Sequence, residues 1–174
     1  RKSTNKRTLS GTISATFAFA AHRSTAIAIT PDGLEGWVVN PDHGTVSVFG
    51  TQGANANQLI AQVTVGAEPW CVDTHPTNGE VWVTSLREDK IYVINGPARS
   101  VVATIPIGFE TFGVAFNPSG TTALATATGA DKIYAVDVAT RVELTLVAAG
   151  ARADMGQVDA ALVVLQIPEL TKLP

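Results

Sequence analysis

The chain has 174 residues, 45% hydrophobic and only 16% charged, which suits one core-forming domain of ordinary size. A net charge of −3 argues against a general nucleic-acid binder, and no run of 18 apolar residues offers a membrane-spanning helix. The single cysteine, Cys71, excludes an intrachain disulfide, covalent c-type haem attachment and four-cysteine metal sites within this chain.

Residues 1–21 form the first segment. Arg1, Lys2, Lys6 and Arg7 give a basic start, Leu9 to Ala20 is mildly apolar, and Ala18-Phe19-Ala20 has the small-x-small pattern of an export-signal cleavage site. Gly11, Thr12, Ser14 and Thr16 dilute that apolar run. Thr12 to Ala20 also falls where the repeat described below expects an outer strand. The segment is therefore expected to be an outer strand, with a residual export signal as the alternative.

From residue 22 to 150 the chain says the same thing three times. Trp37-Val38-Val39-Asn40 returns 45 residues later as Trp82-Val83-Thr84-Ser85. Thr45-Val46-Ser47-Val48 returns as Lys90-Ile91-Tyr92-Val93 and again as Lys132-Ile133-Tyr134-Ala135. Gly66, Gly108 and Gly150 close the units at intervals of 42. A strand-rich period in the forties predicts propeller blades or another stacked array, in which no unit can bury its apolar faces alone.

Four short strands are expected in each unit from apolar alternation bounded by turn residues. The first unit gives strands 26–30, 36–40, 45–49 and 59–65. The second gives 70–74, 81–85, 90–94 and 101–107. The third gives 113–116, 122–126, 132–137 and 142–147. Pro31-Asp32-Gly33 and Pro118-Ser119-Gly120 read as hairpin turns, because Pro sets φ, Asp or Ser bonds back to the backbone and Gly takes positive φ. Cys71 falls in an expected inner strand and is read as a small buried hydrophobe. Residues 151–174 are expected to start a divergent fourth blade or to form a C-terminal cap. Asp154 to Leu165 is the one stretch that could be helical, and Gly156 weakens it by about 1 kcal/mol.

The pieces Val63-Thr64-Val65-Gly66-Ala67-Glu68-Pro69, Trp82-Val83-Thr84-Ser85 and Ile91-Tyr92-Val93-Ile94-Asn95 together resemble the YVTN-type β-propeller repeat. Ile105-Pro106-Ile107-Gly108 and Gly113-Val114-Ala115-Phe116-Asn117-Pro118 continue the pattern, while Leu124-Ala125-Thr126-Ala127 departs from its second strand. The resemblance covers about residues 22–150. It implies an all-β fold of four-stranded antiparallel blades, and an exported protein, periplasmic or at a bacterial cell surface. Closed propellers have four to eight blades, so three units imply part of a larger propeller, completed by another polypeptide or by further copies, with extra strands from residues 1–20 and 157–174 covering the edges as the alternative.

Aligned on the closing glycine, Arg23, Glu68, Glu110 and Arg152 share one position, and Trp70 and Phe112 follow two residues later. In a propeller this position lies at the channel mouth. The six residues are the candidate ligand-binding set: a charged ring with aromatic walls. The competing view is that the arginines and glutamates simply pair across neighbouring blades, which contributes little at a surface.

His22, His43 and His75 lie at non-equivalent positions without close metal-ligand spacing, so they are read as turn or surface histidines and no metal is expected. Asp32, Asp42, Asp89 and Asp131 lie in expected turns. No Gly-x-Ser-x-Gly elbow or glycine-rich phosphate loop is present, and no catalytic residue or cofactor is expected. Two functions compete. One is a non-enzymatic binding or scaffolding module acting through mouth loops or open blade edges. The other is the propeller part of an enzyme: a lactonase-like hydrolase, or a quinone- or haem-linked dehydrogenase.

Overall fold

The computed structural model describes residues 26–144. The expected outer strand at 12–20, the possible helix at 154–165 and the segment 151–174 lie outside the described residues.

Twelve strands form three four-stranded antiparallel sheets, each ordered as in sequence. Blade 1 holds β1 (Ile27–Ile29), β2 (Glu35–Asn40), β3 (Thr45–Gly50) and β4 (Leu59–Thr64). Blade 2 holds β5 (Pro69–Thr74), β6 (Glu80–Ser85), β7 (Lys90–Asn95) and β8 (Ser100–Pro106). Blade 3 holds β9 (Thr111–Phe116), β10 (Thr122–Ala127), β11 (Lys132–Asp137) and β12 (Glu143–Leu144). The strand plan expected from the repeat holds to within a residue or two at most ends. The fourth strand of blade 3 is described only as far as Leu144.

Local chemistry explains the hairpins. Asp32 Oδ1 accepts from the Thr30 hydroxyl at 2.6 Å and from the Leu34 N–H at 2.9 Å, while Gly33 takes φ 72°. Those bonds hold the Asp32 carboxyl below its usual range, the Thr30 hydroxyl contributing most. Each blade also spends a left-handed residue before its third strand (Gly44, Asp89, Asp131) and another before its fourth (Asn57, Arg99, Arg141).

Alternation along the strands divides each blade into two faces. Val81 and Val83 turn toward blade 1 and join Trp37, Val39, Val46 and Val48. Trp82, Ile91 and Val93 turn toward blade 3 and join Val114, Ala123, Ala125 and Val136. The apparent decay of the third unit's second strand is thus a packing solution. Small alanines on β10 make room for the Trp82 indole, which meets Phe116 edge-on at 5.0 Å. β5 lies beside both β1 and β9, whereas the outer strands β4 and β8 barely meet, so the blades converge on their inner strands.

The closing glycines have a steric reason. A Cβ on Gly108 would lie 2.8 Å from Tyr134 Cζ, and one on Gly66 would collide with the Tyr92 hydroxyl and the Glu88 carboxylate. Each glycine therefore seats the tyrosine of the next blade's third strand.

His75 corrects its expectation in one respect. It is a turn histidine but a buried one, 5% exposed. Its Nδ1 accepts from the Thr77 and Asn78 N–H groups at 3.1 and 2.9 Å. That fixes the proton on Nε2, which lies 2.9 Å from the Gly120 carbonyl of blade 3 and donates to it.

Candidate functional site

At one end of the blades lie the linkers between blades (65–68 and 107–110) and the loops between second and third strands (41–44, 86–89 and 128–131). This is the end that the sequence reading assigns to the channel mouth. Each linker is pinned by the loop of the blade it enters. The Leu86 N–H donates to Glu68 O, and the Thr128 N–H donates to Glu110 O, both at 3.0 Å. Ser85 Oγ donates to Ala67 O at 2.6 Å.

Glu68 and Glu110 are structurally equivalent, with φ values of 50° and 58°. Their carboxylates have different surroundings. Glu68 Oε2 pairs with Arg87 Nε of its own blade at 3.0 Å. Glu110 Oε2 lies 3.5 Å from the Thr128 hydroxyl, and its N–H donates to Asp89 Oδ1 at 2.8 Å. Arg23 and Arg152 lie outside the described residues, so the fourfold charged set is described at two of its positions.

Trp70 and Phe112 do come together, with ring centroids 5.5 Å apart and planes tilted by 43°. Two residues past the left-handed glutamate, each sits near the start of an inner strand, and the convergence of β5 and β9 brings the rings into contact. Trp70 is 41% exposed, whereas Trp37 and Trp82 are fully buried. Phe109 adds a further exposed ring, lying against Gly129 of the 128–131 loop. Sequence reasoning missed it, because it stands one residue past the aligned glycine.

A second cluster joins the 65–68 linker to blade 2. Glu88 accepts from the Tyr92 hydroxyl, from the Ala67 N–H at 3.0 Å and from Lys90 Nζ at 3.0 Å. The Tyr92 hydroxyl contributes most to holding the Glu88 carboxyl at about 2, and burial contributes most to pushing the Tyr92 phenol up to about 12. These groups tie the 65–68 linker to β7. No cluster of three or more histidine, cysteine, aspartate or glutamate residues suited to a metal occurs among the described residues. No helix among them is long and apolar enough to cross a membrane.

Two charge pairs that join neighbouring blades lie at the opposite end. Arg99 of blade 2 grips Glu35 of blade 1 through its two terminal guanidinium nitrogens, one at 2.9 Å, and stacks over the Trp37 ring at 5.1 Å. Arg141 of blade 3 repeats the contact on Glu80 of blade 2 at 3.0 Å. Glu35 and Glu80 are 45 residues apart and Arg99 and Arg141 are 42 apart, the same intervals as the strands, so a signal was present.

No family model matches the chain, and no curated protein does. Solved structures match in number. Hydrazine synthase of Kuenenia stuttgartiensis superposes with a TM-score of 0.63 at 20% identity, covering 76% of this chain and 38% of that one. The dihydro-heme d1 dehydrogenase NirN, in complex with DHE, gives 0.56 at 16% identity, covering 66% of this chain and 25% of that one. The chain thus spans well under half the length of either protein. At such identities the likeness concerns the fold alone. The three sheets are β-propeller-like blades, similar to parts of larger propeller proteins.

Proposed function

We propose that the chain is a YVTN-like, exported propeller module without catalysis of its own, binding a ligand or partner through its mouth loops. One observation carries this reading: Trp70 is exposed and in ring contact with Phe112, each two residues past a glutamate of the inter-blade linker. A flat or cationic group would stack on the indole and meet carboxylates at its edge. The resemblance in the repeat supports export, to the periplasm or cell surface.

Tryptophan emission tests the reading, since Trp70 is the exposed indole of the three. Titration with short basic peptides and quaternary ammonium probes is expected to give a saturable change that Trp70→Ala removes. A response indifferent to Trp70→Ala overturns it. So does turnover of a substrate that Glu110→Gln abolishes.

A second reading makes the chain the propeller part of an enzyme, lactonase-like or a quinone- or haem-linked dehydrogenase. Glu68, Glu110, Arg23 and Arg152 would then position the substrate, and any redox centre would come from another chain. It is favoured by the fact that both similar structures named above are enzymes. A saturable change in the absorption of added haem, lost in Glu110→Gln, supports it. Spectroscopic silence counts against it.

A further inference from the structure

Trp70 and Phe112 owe their places to the same irregularity of the sheet. In blade 2 the register of β5 on β6 steps from Pro69 opposite Ser85 to Cys71 opposite Thr84, so Trp70 is an inserted residue. In blade 3 the register of β9 on β10 steps from Thr111 opposite Ala127 to Gly113 opposite Thr126, so Phe112 is inserted in the same way. Each is a β-bulge at the start of an inner strand, and a bulge bends its strand and re-aims the extra side chain. The backbone beside the bulge still needs partners. One residue type supplies them in both blades. The Cys71 N–H donates to the Thr84 hydroxyl at 3.0 Å, and the Gly113 N–H donates to the Thr126 hydroxyl at 2.9 Å.

Thr84 has a second task. Its hydroxyl donates across the blade interface to Phe112 O at 2.8 Å, a shorter contact than the 3.5 Å to Cys71 O of its own blade. A hydroxyl has one proton to give and lone pairs to accept with, so both duties are met at once. The side chain is fully buried, which keeps water from competing for either bond. On the other side of Trp70, Ser85 Oγ holds Ala67 O at 2.6 Å and the Leu86 N–H holds Glu68 O at 3.0 Å. The end of β6 therefore grips the chain before and after the inserted indole, and through Thr84 it also grips the backbone of Phe112.

We infer that Thr84 is a positioning residue for the mouth site: its hydroxyl sets the spacing of Trp70 and Phe112 and, with it, the affinity for a group stacked on the indole. This rests on reading the mouth as a binding site. The two rings belong to different blades, and their 5.5 Å separation lies in the range where aromatic pairs attract. Holding that separation requires both bulged backbones to be fixed relative to each other, and the Thr84 hydroxyl bonds to both. Valine has nearly the same shape as threonine but can neither accept from Cys71 nor donate to Phe112. The coupling is reciprocal, so a ligand that grips the ring pair tightens the hydroxyl's hold on the strands beneath it.

Two readings of tryptophan emission test it on the unaltered chain, Thr84→Val, Thr84→Ser and Trp70→Ala: acrylamide quenching without ligand, and titration with tetramethylammonium. Quenching reports on Trp70, because Trp37 and Trp82 are fully buried. Thr84→Val is expected to raise quenching and to weaken binding of the probe by about fivefold, the worth of an aromatic pair. Thr84→Ser keeps the hydroxyl and is expected to restore both. A Thr84→Val chain that loses stability to urea while quenching and affinity stay unchanged overturns the inference, since the hydroxyl then serves the fold alone. Should Thr84→Val not fold, amide exchange at Cys71 of the unaltered chain decides. Saturating probe is expected to slow that exchange by about fivefold, and unchanged exchange overturns the inference. A missing response in the unaltered chain fails the mouth reading itself, whereas a response that Trp70→Ala removes and Thr84→Val leaves intact fails only the role of Thr84.

Discussion

The phenolic oxygen of Tyr92 fills the space that a methyl group on Gly66 would need. Gly66→Ala is therefore expected to cost about 2 kcal/mol, the usual penalty for overpacking a filled site. Tyr92→Phe in the same chain should recover part of that loss, because it removes the colliding oxygen. Urea unfolding of the two single variants and the double variant checks the coupling. Additive effects would mean that the two residues do not meet.

The inter-blade clasps should differ in strength. Arg141→Ala removes a half-exposed ion pair and is expected to cost about 1 kcal/mol or less. Arg99→Ala removes a two-nitrogen grip on Glu35 and a ring stack on Trp37, so it should cost more. Arg99→Lys should behave like the alanine variant, since an ammonium lacks the planar fork. Denaturation midpoints of the three variants decide the order.

The two buried tryptophans hold equivalent positions with unequal bonding. Trp82 Nε1 donates to Glu80 Oε2 at 3.0 Å, while Trp37 Nε1 is buried with no hydrogen-bond partner. Replacement by phenylalanine opens a cavity at either site, but only at position 82 does it also break a charge-assisted bond. Trp82→Phe is expected to destabilise by about 1 kcal/mol more than Trp37→Phe. Equal losses would contradict the bond.

Glu88 and Tyr92 contribute at opposite ends of the pH range. The Glu88 carboxyl falls from 4.5 to about 2 on folding, so its contribution is complete above pH 4.5 and is lost as pH falls toward 2. The Tyr92 phenol rises from 10 to about 12, so its contribution is complete below pH 10 and is lost as pH rises through 12. Glu88→Gln should flatten the acid limb of Tm against pH between 4.5 and 2. An unchanged acid limb would assign it to other carboxylates.

The blades were legible because their signals are local. Alternating β-branched residues and the Pro-Asp-Gly and Pro-Ser-Gly turns lie within a few residues of one another, and the strands followed them. The pairing of Trp70 with Phe112 was reachable because the closing glycines fix a common register. The Glu35–Arg99 clasp was not legible locally, since its partners are 64 residues apart and lie in different blades. His75 does stand at a turn, but its burial was not read, for a related reason. Its imidazole is covered by Gly120 of the next blade, 45 residues away, which no local pattern announces.

The most direct test of binding at the mouth loops is tryptophan emission during titration with a quaternary ammonium probe, because Trp70 is the exposed indole. A saturable change that Trp70→Ala removes is expected. A response indifferent to Trp70→Ala would contradict a site on that ring.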